Sequence, residues 1–175
     1  MKVIKKKFFE LICVVALVFT SCASIPEPSQ KNVAMFYGYA EIVPDDYFYG
    51  QKSQKNGITV VLENYKTGKT YTMTSNYRGE LIKSNVEPGM YFVKKVSADF
   101  FENERSWKIE FSFSDTDMDS LIDIGYGAYS LGKFIITSNA QTRMCHLSFG
   151  AEKEDVKELF MNYYPDSMWL YESWQ

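Results

Sequence analysis

Histidine is almost missing from this chain. One, His146, occurs in 175 residues, and cysteine occurs three times, at positions 13, 22 and 145. That leaves a single imidazole for any acid–base role and no zinc-ligand spacing. Cys145 and His146 are adjacent in a segment with strand character, where neighbouring side chains leave opposite faces, so they do not form a nucleophile–base dyad. One of them is expected to face the core and the other the surface. Positive charge is not in excess either: 19 basic residues stand against 22 acidic ones, a formal net charge of −3. That balance argues against nucleic acid as a partner, because phosphate neutralisation requires a basic face. The apolar run from Leu11 to Phe19 falls short of the roughly 20 residues a spanning helix requires. No Gly-x-Ser-x-Gly, phosphate loop, internal repeat or low-complexity tract is present.

The short apolar run has its own meaning. Lys2, Lys5, Lys6 and Lys7 precede it as a positive region, and the run has the length of an export-signal core, roughly 7–15 residues. It ends at Phe19-Thr20-Ser21-Cys22, which resembles the lipobox of bacterial lipoproteins. Phe19 stands where that box usually carries Leu, Val or Ile, and Glu10 at the edge of the run is also atypical. The resemblance implies removal of residues 1–21, lipidation of Cys22 and attachment to the membrane through that covalent lipid. Two or three acyl chains on one cysteine hold far better than the marginal single chain. Ala23 is not the Asp that retains lipoproteins in the inner membrane, so an outer membrane is favoured where the organism has one. Loss of the signal removes four basic side chains and one acidic one, leaving 15 against 21, a formal charge of −6. No polybasic membrane contact adds to the anchor. Cys13 leaves with the signal and Cys22 is acylated, so Cys145 has no intramolecular disulfide partner.

Residues 22–32 carry the lipidated Cys and a polar stretch with Pro26 and Pro28, expected as a short tether. Residues 33–150 read as short strands. Met35, Phe36, Tyr37 and Tyr39 open the first, which ends near Pro44. Ile58, Val60 and Leu62 alternate with Thr59, Val61 and Glu63. Thr70 to Thr74, Glu80 to Lys83 and Met90 to Val96 follow, separated by turns at Lys66–Lys69, Asn76–Gly79 and Glu87–Gly89. Trp107, Ile109, Phe111 and Phe113 give the cleanest period-2 pattern. Leu131 to Thr137 and Met144 to Phe149 complete the set. Aromatic content is 17%, which suits half-buried pleated surfaces. Frequent turns without intervening helices predict a mainly β, antiparallel sandwich or barrel rather than a parallel sheet. Residues 151–175 change period: Val156, Leu159, Phe160 and Tyr163 form one helical face. Pro165 ends the helix, and Asp166 is expected to cap a last short turn bearing Trp169, Leu170 and Trp174. This helix and aromatic tail are expected to pack on the sandwich.

The segment from Gly57-Ile58-Thr59-Val60-Val61-Leu62-Glu63-Asn64 through Thr67-Gly68-Lys69 to Gly79-Glu80-Leu81-Ile82 and Val86-Glu87-Pro88-Gly89-Met90-Tyr91-Phe92-Val93 resembles the prealbumin-like, or carboxypeptidase regulatory-like, β-sandwich. That family implies an Ig-like, Greek-key arrangement with Gly79 and Gly89 in turn conformations and Tyr91 and Val93 in the core. It implies a fold and no chemistry.

Two features invite a binding role. Asp115, Asp117 and Asp119 alternate like the start of a calcium loop, but Ser120 and Tyr126 stand where such a loop needs Gly and a bidentate Glu. They read as a solvated acidic turn, as do Asp45 and Asp46. The aromatic tail (Tyr163, Tyr164, Trp169, Tyr171 and Trp174) reads chiefly as a cover over the sandwich, or else as an exposed partner surface. The expectation is a non-catalytic lipoprotein of the cell envelope, a structural or protein-interaction module without a cofactor. The alternative is a surface lipoprotein that binds a small molecule, a carbohydrate or a host component.

Overall fold

A computed structural model of the chain describes residues 25–29, 32–44, 53–102, 105–114, 121–139, 144–150 and 153–175. Their strands are β1 (Ala34–Pro44), β2 (Ile58–Asn64), β3 (Thr70–Thr74), β4 (Glu80–Val86), β5 (Gly89–Glu102), β6 (Arg105–Ser112), β7 (Ile122–Ile124), β8 (Gly127–Asn139) and β9 (Met144–Gly150). A helix, α1 (Lys153–Tyr163), and a 3-10 turn (Met168–Tyr171) follow. One sheet runs β4-β1-β8-β9; the other runs β3-β2-β5-β6, with β7 paired to the start of β5. The chain is thus a mainly β sandwich with a short C-terminal helix.

Alternation builds the core between the sheets. Ile58, Val60 and Leu62 are buried while Thr59, Val61 and Glu63 are half-buried, and Tyr71 and Met73 turn inward between exposed threonines. They meet Phe36, Leu81, Tyr91 and Phe134 from the other strands, with Phe36 and Tyr91 packed edge to face at 5.4 Å. Three irregularities keep the apolar face inward; the one in β4, where the register against β1 shifts between Ala34 and Phe36, carries the inward set from Leu81 to Val86. In β5 the register against β2 slips between Val61 and Leu62, so the inward residues change from Tyr91 and Val93 to Val96 and Ala98. In β8 the register against β1 slips opposite Gly38, and the inward set changes from Tyr129 and Leu131 to Phe134 and Ile136. A one-residue insertion inverts the faces of a strand; here it restores burial for sequences whose apolar spacing changes parity.

One pairing departs from the antiparallel expectation: β1 and β8 run parallel, whereas every other pair among the described strands is antiparallel. The reason is visible in β1. Its Phe36, Ala40 and Ile42 face the inter-sheet core, while Met35 and Tyr37 face a second apolar cluster with Val156 and Phe160 of α1 and with Trp169. A strand covered on both faces tolerates a continuous apolar run and a parallel neighbour.

The second cluster also contains Ile25, which is buried. Within the stretch expected as a short tether, residues 25–29 are fastened to the C-terminal segment and to β4. The Trp169 indole N–H donates to the Pro26 carbonyl at 3.1 Å, and Glu27 Oε2 accepts from the Met168 N–H at 2.9 Å and from the Ser167 hydroxyl at 3.3 Å. Ser29 N–H donates to Asn85 Oδ1 at 2.8 Å. Burial of one isoleucine and satisfaction of orphan donors at the 3-10 turn outweigh the polar, proline-containing character of this segment. The cap of that turn is Ser167, whose side chain accepts from Trp169 N–H, and not Asp166, which is exposed.

Candidate functional site

The densest polar arrangement among the described residues centres on Glu80, at the start of β4. Its residue is 2% exposed because α1 and the segment after it cover the outer face of the β4-β1-β8-β9 sheet. A buried carboxylate is costly unless hydrogen-bonded, and this one is well supplied. Oε1 accepts from the Tyr37 hydroxyl at 2.9 Å, and Oε2 accepts from Asn76 Nδ2 at 2.7 Å and from the Tyr164 hydroxyl at 3.1 Å. Arg78 Nη1 stands 3.9 Å from Oε2. Asn76 Oδ1 in turn accepts the backbone N–H groups of Arg78 at 2.9 Å and Glu80 at 3.1 Å, an Asx-type turn that aims both side chains. Burial, followed by the Glu80 charge, pushes the Tyr164 phenol up to about 12 and holds Tyr37 well above the ordinary phenol range. Both hydroxyls therefore stay protonated and act as donors. The carboxylate's hydrogen bonds are committed to the protein, so the arrangement is a clasp between sheet and C-terminal segment.

Beside the clasp lies a more exposed group. The Arg78 guanidinium sits 5.2 Å from the Tyr77 ring centroid and 4.5 Å from that of Tyr163. Tyr77 is 73% exposed and Tyr163 is 44% exposed. Lys55 Nζ lies 5.3 Å from the Tyr39 ring, and its ammonium is held up in pKa first by that tyrosine. Aromatic faces with an arginine between them offer stacking and hydrogen bonding to a ligand. Gly79 shapes this corner. Its φ is +89°, and a Cβ there would lie 2.7 Å from the Ala40 carbonyl and from the Tyr39 ring, so only glycine fits.

The sequence-based candidates separate as follows. Cys145 packs against the inter-sheet core, which raises its thiol pKa, and His146 is exposed on the other face of β9; they form no dyad. Cys22, Asp45, Asp46, Asp115, Asp117 and Asp119 lie outside the described residues. Among the described residues no group of three His, Cys, Asp or Glu side chains is arranged to hold a metal ion. No described helix is long and apolar enough to cross a membrane.

The aromatic tail divides. Trp169 is fully buried, Tyr164 and Trp174 are half-buried, and Tyr163 and Tyr171 point outward. Tyr37 packs edge to face on Phe160 with centroids 4.9 Å apart, and Phe160 packs at a tilt on Trp174 at 5.0 Å. The final residues run along the part of β8 that β9 leaves open: Ala128 N–H donates to Ser173 O and Ser130 N–H to Gln175 O. Tyr91 and Val93 are buried in the core, and Gly89 has φ +155° with Asn64 Nδ2 close against it. Glu80 escaped the sequence reading because its burial comes from Tyr164, 84 residues away. A faint signal was available: Glu80 shares a strand face with Ile82, which packs on the second cluster. Compared with protein-family models and with curated proteins, the chain matches none.

Proposed function

We propose that this chain is an exported bacterial lipoprotein, anchored through lipid on Cys22, whose sandwich serves as a non-catalytic structural or protein-interaction module of the cell envelope. The observation that carries the reading is the order of zones at the start of the chain: four lysines, the Leu11–Phe19 run, then Thr20-Ser21-Cys22. The geometry of the folded part is compatible with it. The segment from Ile25 is fastened to the outer face of a sheet, so an anchor at Cys22 holds the whole sandwich. The most chemically equipped cluster, around Glu80, spends its hydrogen bonds on joining the C-terminal segment to that sheet. The prealbumin-like resemblance of residues 57–93 fits a module of this kind. The outer membrane is the favoured location where the organism has one.

A second reading, a ligand-binding surface lipoprotein, draws on the Tyr77–Arg78–Tyr163 stack. Growth with an alkynyl fatty acid tests the first claim. Wild type incorporates the label and Cys22→Ser does not; equal incorporation by both removes the anchor assignment. Tyr77→Ala with Tyr163→Ala tests the second on a glycan array. Glycan binding by wild type that the double variant loses favours the ligand-binding reading.

A further inference from the structure

The docked N-terminal segment fixes which side of the sandwich meets the membrane. Only Ala23 and Ser24 separate Cys22 from Ile25, and three residues of fully extended chain span at most about 11 Å. Ile25 is buried in the second apolar cluster, with Met35, Tyr37 and Trp169, on the helix-covered face of the β4-β1-β8-β9 sheet, and the next residue, Pro26, accepts the Trp169 indole N–H. The two sheets of a sandwich lie about 10 Å apart, and the β3-β2-β5-β6 sheet lies on the far side. Its outer face is therefore out of reach of a bilayer that holds Cys22.

The surface that remains is the C-terminal cover. Met168, whose backbone N–H is held by Glu27, and Tyr171, 82% exposed, project from it. An apolar thioether and an amphipathic aromatic are suited to the headgroup boundary of a membrane. Exposed acids predominate there: Glu27, Asp166 and Glu172 stand against Lys157, which lies over the Trp174 ring. The contact is thus one for neutral headgroups and does not depend on anionic lipid.

We infer that the 3-10 turn Met168–Tyr171 is the lipid-facing surface of the anchored domain, with Met168 and Tyr171 at the headgroups of a zwitterionic bilayer. This inference rests on lipidation at Cys22. The experiment uses the lipidated full chain carrying Cys145→Ser and reconstituted in phosphatidylcholine vesicles. A fluorescent label is placed at Met168→Cys, at Tyr171→Cys or, on the exposed side of β3, at Thr72→Cys. Lipids with a nitroxide on the headgroup are expected to quench the labels at 168 and 171 several-fold more than the label at 72, with little change on adding salt. Equal quenching at all three positions overturns the inference and leaves the anchor intact. Labels at 168 and 171 that are shielded from both nitroxide lipid and aqueous quencher also overturn it, and point to contact between copies of this chain on this surface. A protein that fails to stay with the vesicles, carrying no lipid, overturns the anchor reading and this inference together.

Discussion

The Tyr37 hydroxyl donates to Glu80 Oε1 at 2.9 Å, joining residues 43 positions apart on the neighbouring strands β1 and β4. Tyr164, from beyond α1, reaches the other oxygen of the same carboxylate. One buried acid thus ties the central strand, an edge strand and the C-terminal segment. Replacing Glu80 by Gln keeps the shape but removes the charge and turns one carboxylate acceptor into an amide donor. Glu80→Gln is expected to lower stability by about 1–3 kcal/mol in urea unfolding. A change within a few tenths would mean that water replaces the clasp at no cost.

Alkaline pH is expected to release the same clasp. An unfolded tyrosine ionises near pH ~10, whereas Tyr164 in the fold is raised to about 12 and Tyr37 is raised further. The unfolded state therefore loses these protons first. Their contribution is complete below pH ~10 and falls as the pH rises toward and through 12. Wild type should lose more stability between about pH 8 and pH 11 than the Tyr37→Phe, Tyr164→Phe double variant. Equal losses would place the alkaline sensitivity elsewhere.

Trp169 is 0% exposed and packs with Ile25 in the second cluster. Trp169→Ala is expected to cost about 3–5 kcal/mol. It also removes the donor to the Pro26 carbonyl, so the N-terminal segment should be cut by protease at a low dose that spares it in wild type. Glu27→Ala should give the same early cleavage with a smaller loss of stability. Intact N-termini in both variants would contradict the docking.

Two glycines with positive φ separate strain from collision. Gly68 has φ +68° with open space around it, while Gly79 has φ +89° and a backbone oxygen 2.7 Å from where a Cβ would lie. Gly68→Ala is expected to cost roughly 1 kcal/mol, the conformational term alone. Gly79→Ala should cost clearly more and disturb Tyr39. Thermal melting of the two variants reads the difference.

Much of the sandwich was legible because its strands obey one rule at a time. In β2 and β3 the inward residues alternate strictly, and their limits follow from the Lys66–Lys69 and Asn76–Gly79 turns. In β5 and β8 the rule changes partway, at the register slips near Lys94 and Gly132, and the expected strands Met90–Val96 and Leu131–Thr137 stop short of the observed Gly89–Glu102 and Gly127–Asn139. The short β7 carries three residues, too few for any period. The helix stripe held at Val156 and Phe160 and failed at Tyr163, which turns outward to stack on Arg78 while Tyr164 takes the inward place. What local pattern does not carry is the match between distant segments. Ile25 and Glu80 read as an isolated apolar residue and an ordinary strand acid until Trp169 and Tyr164 arrive to cover them.

Lipid on Cys22 is read directly from the mass of the N-terminal peptide of the mature, membrane-extracted protein. A peptide that begins at Cys22 and carries a diacylglyceryl group is the expected result. A mature protein that begins at another residue, or an unmodified Cys22, would contradict it.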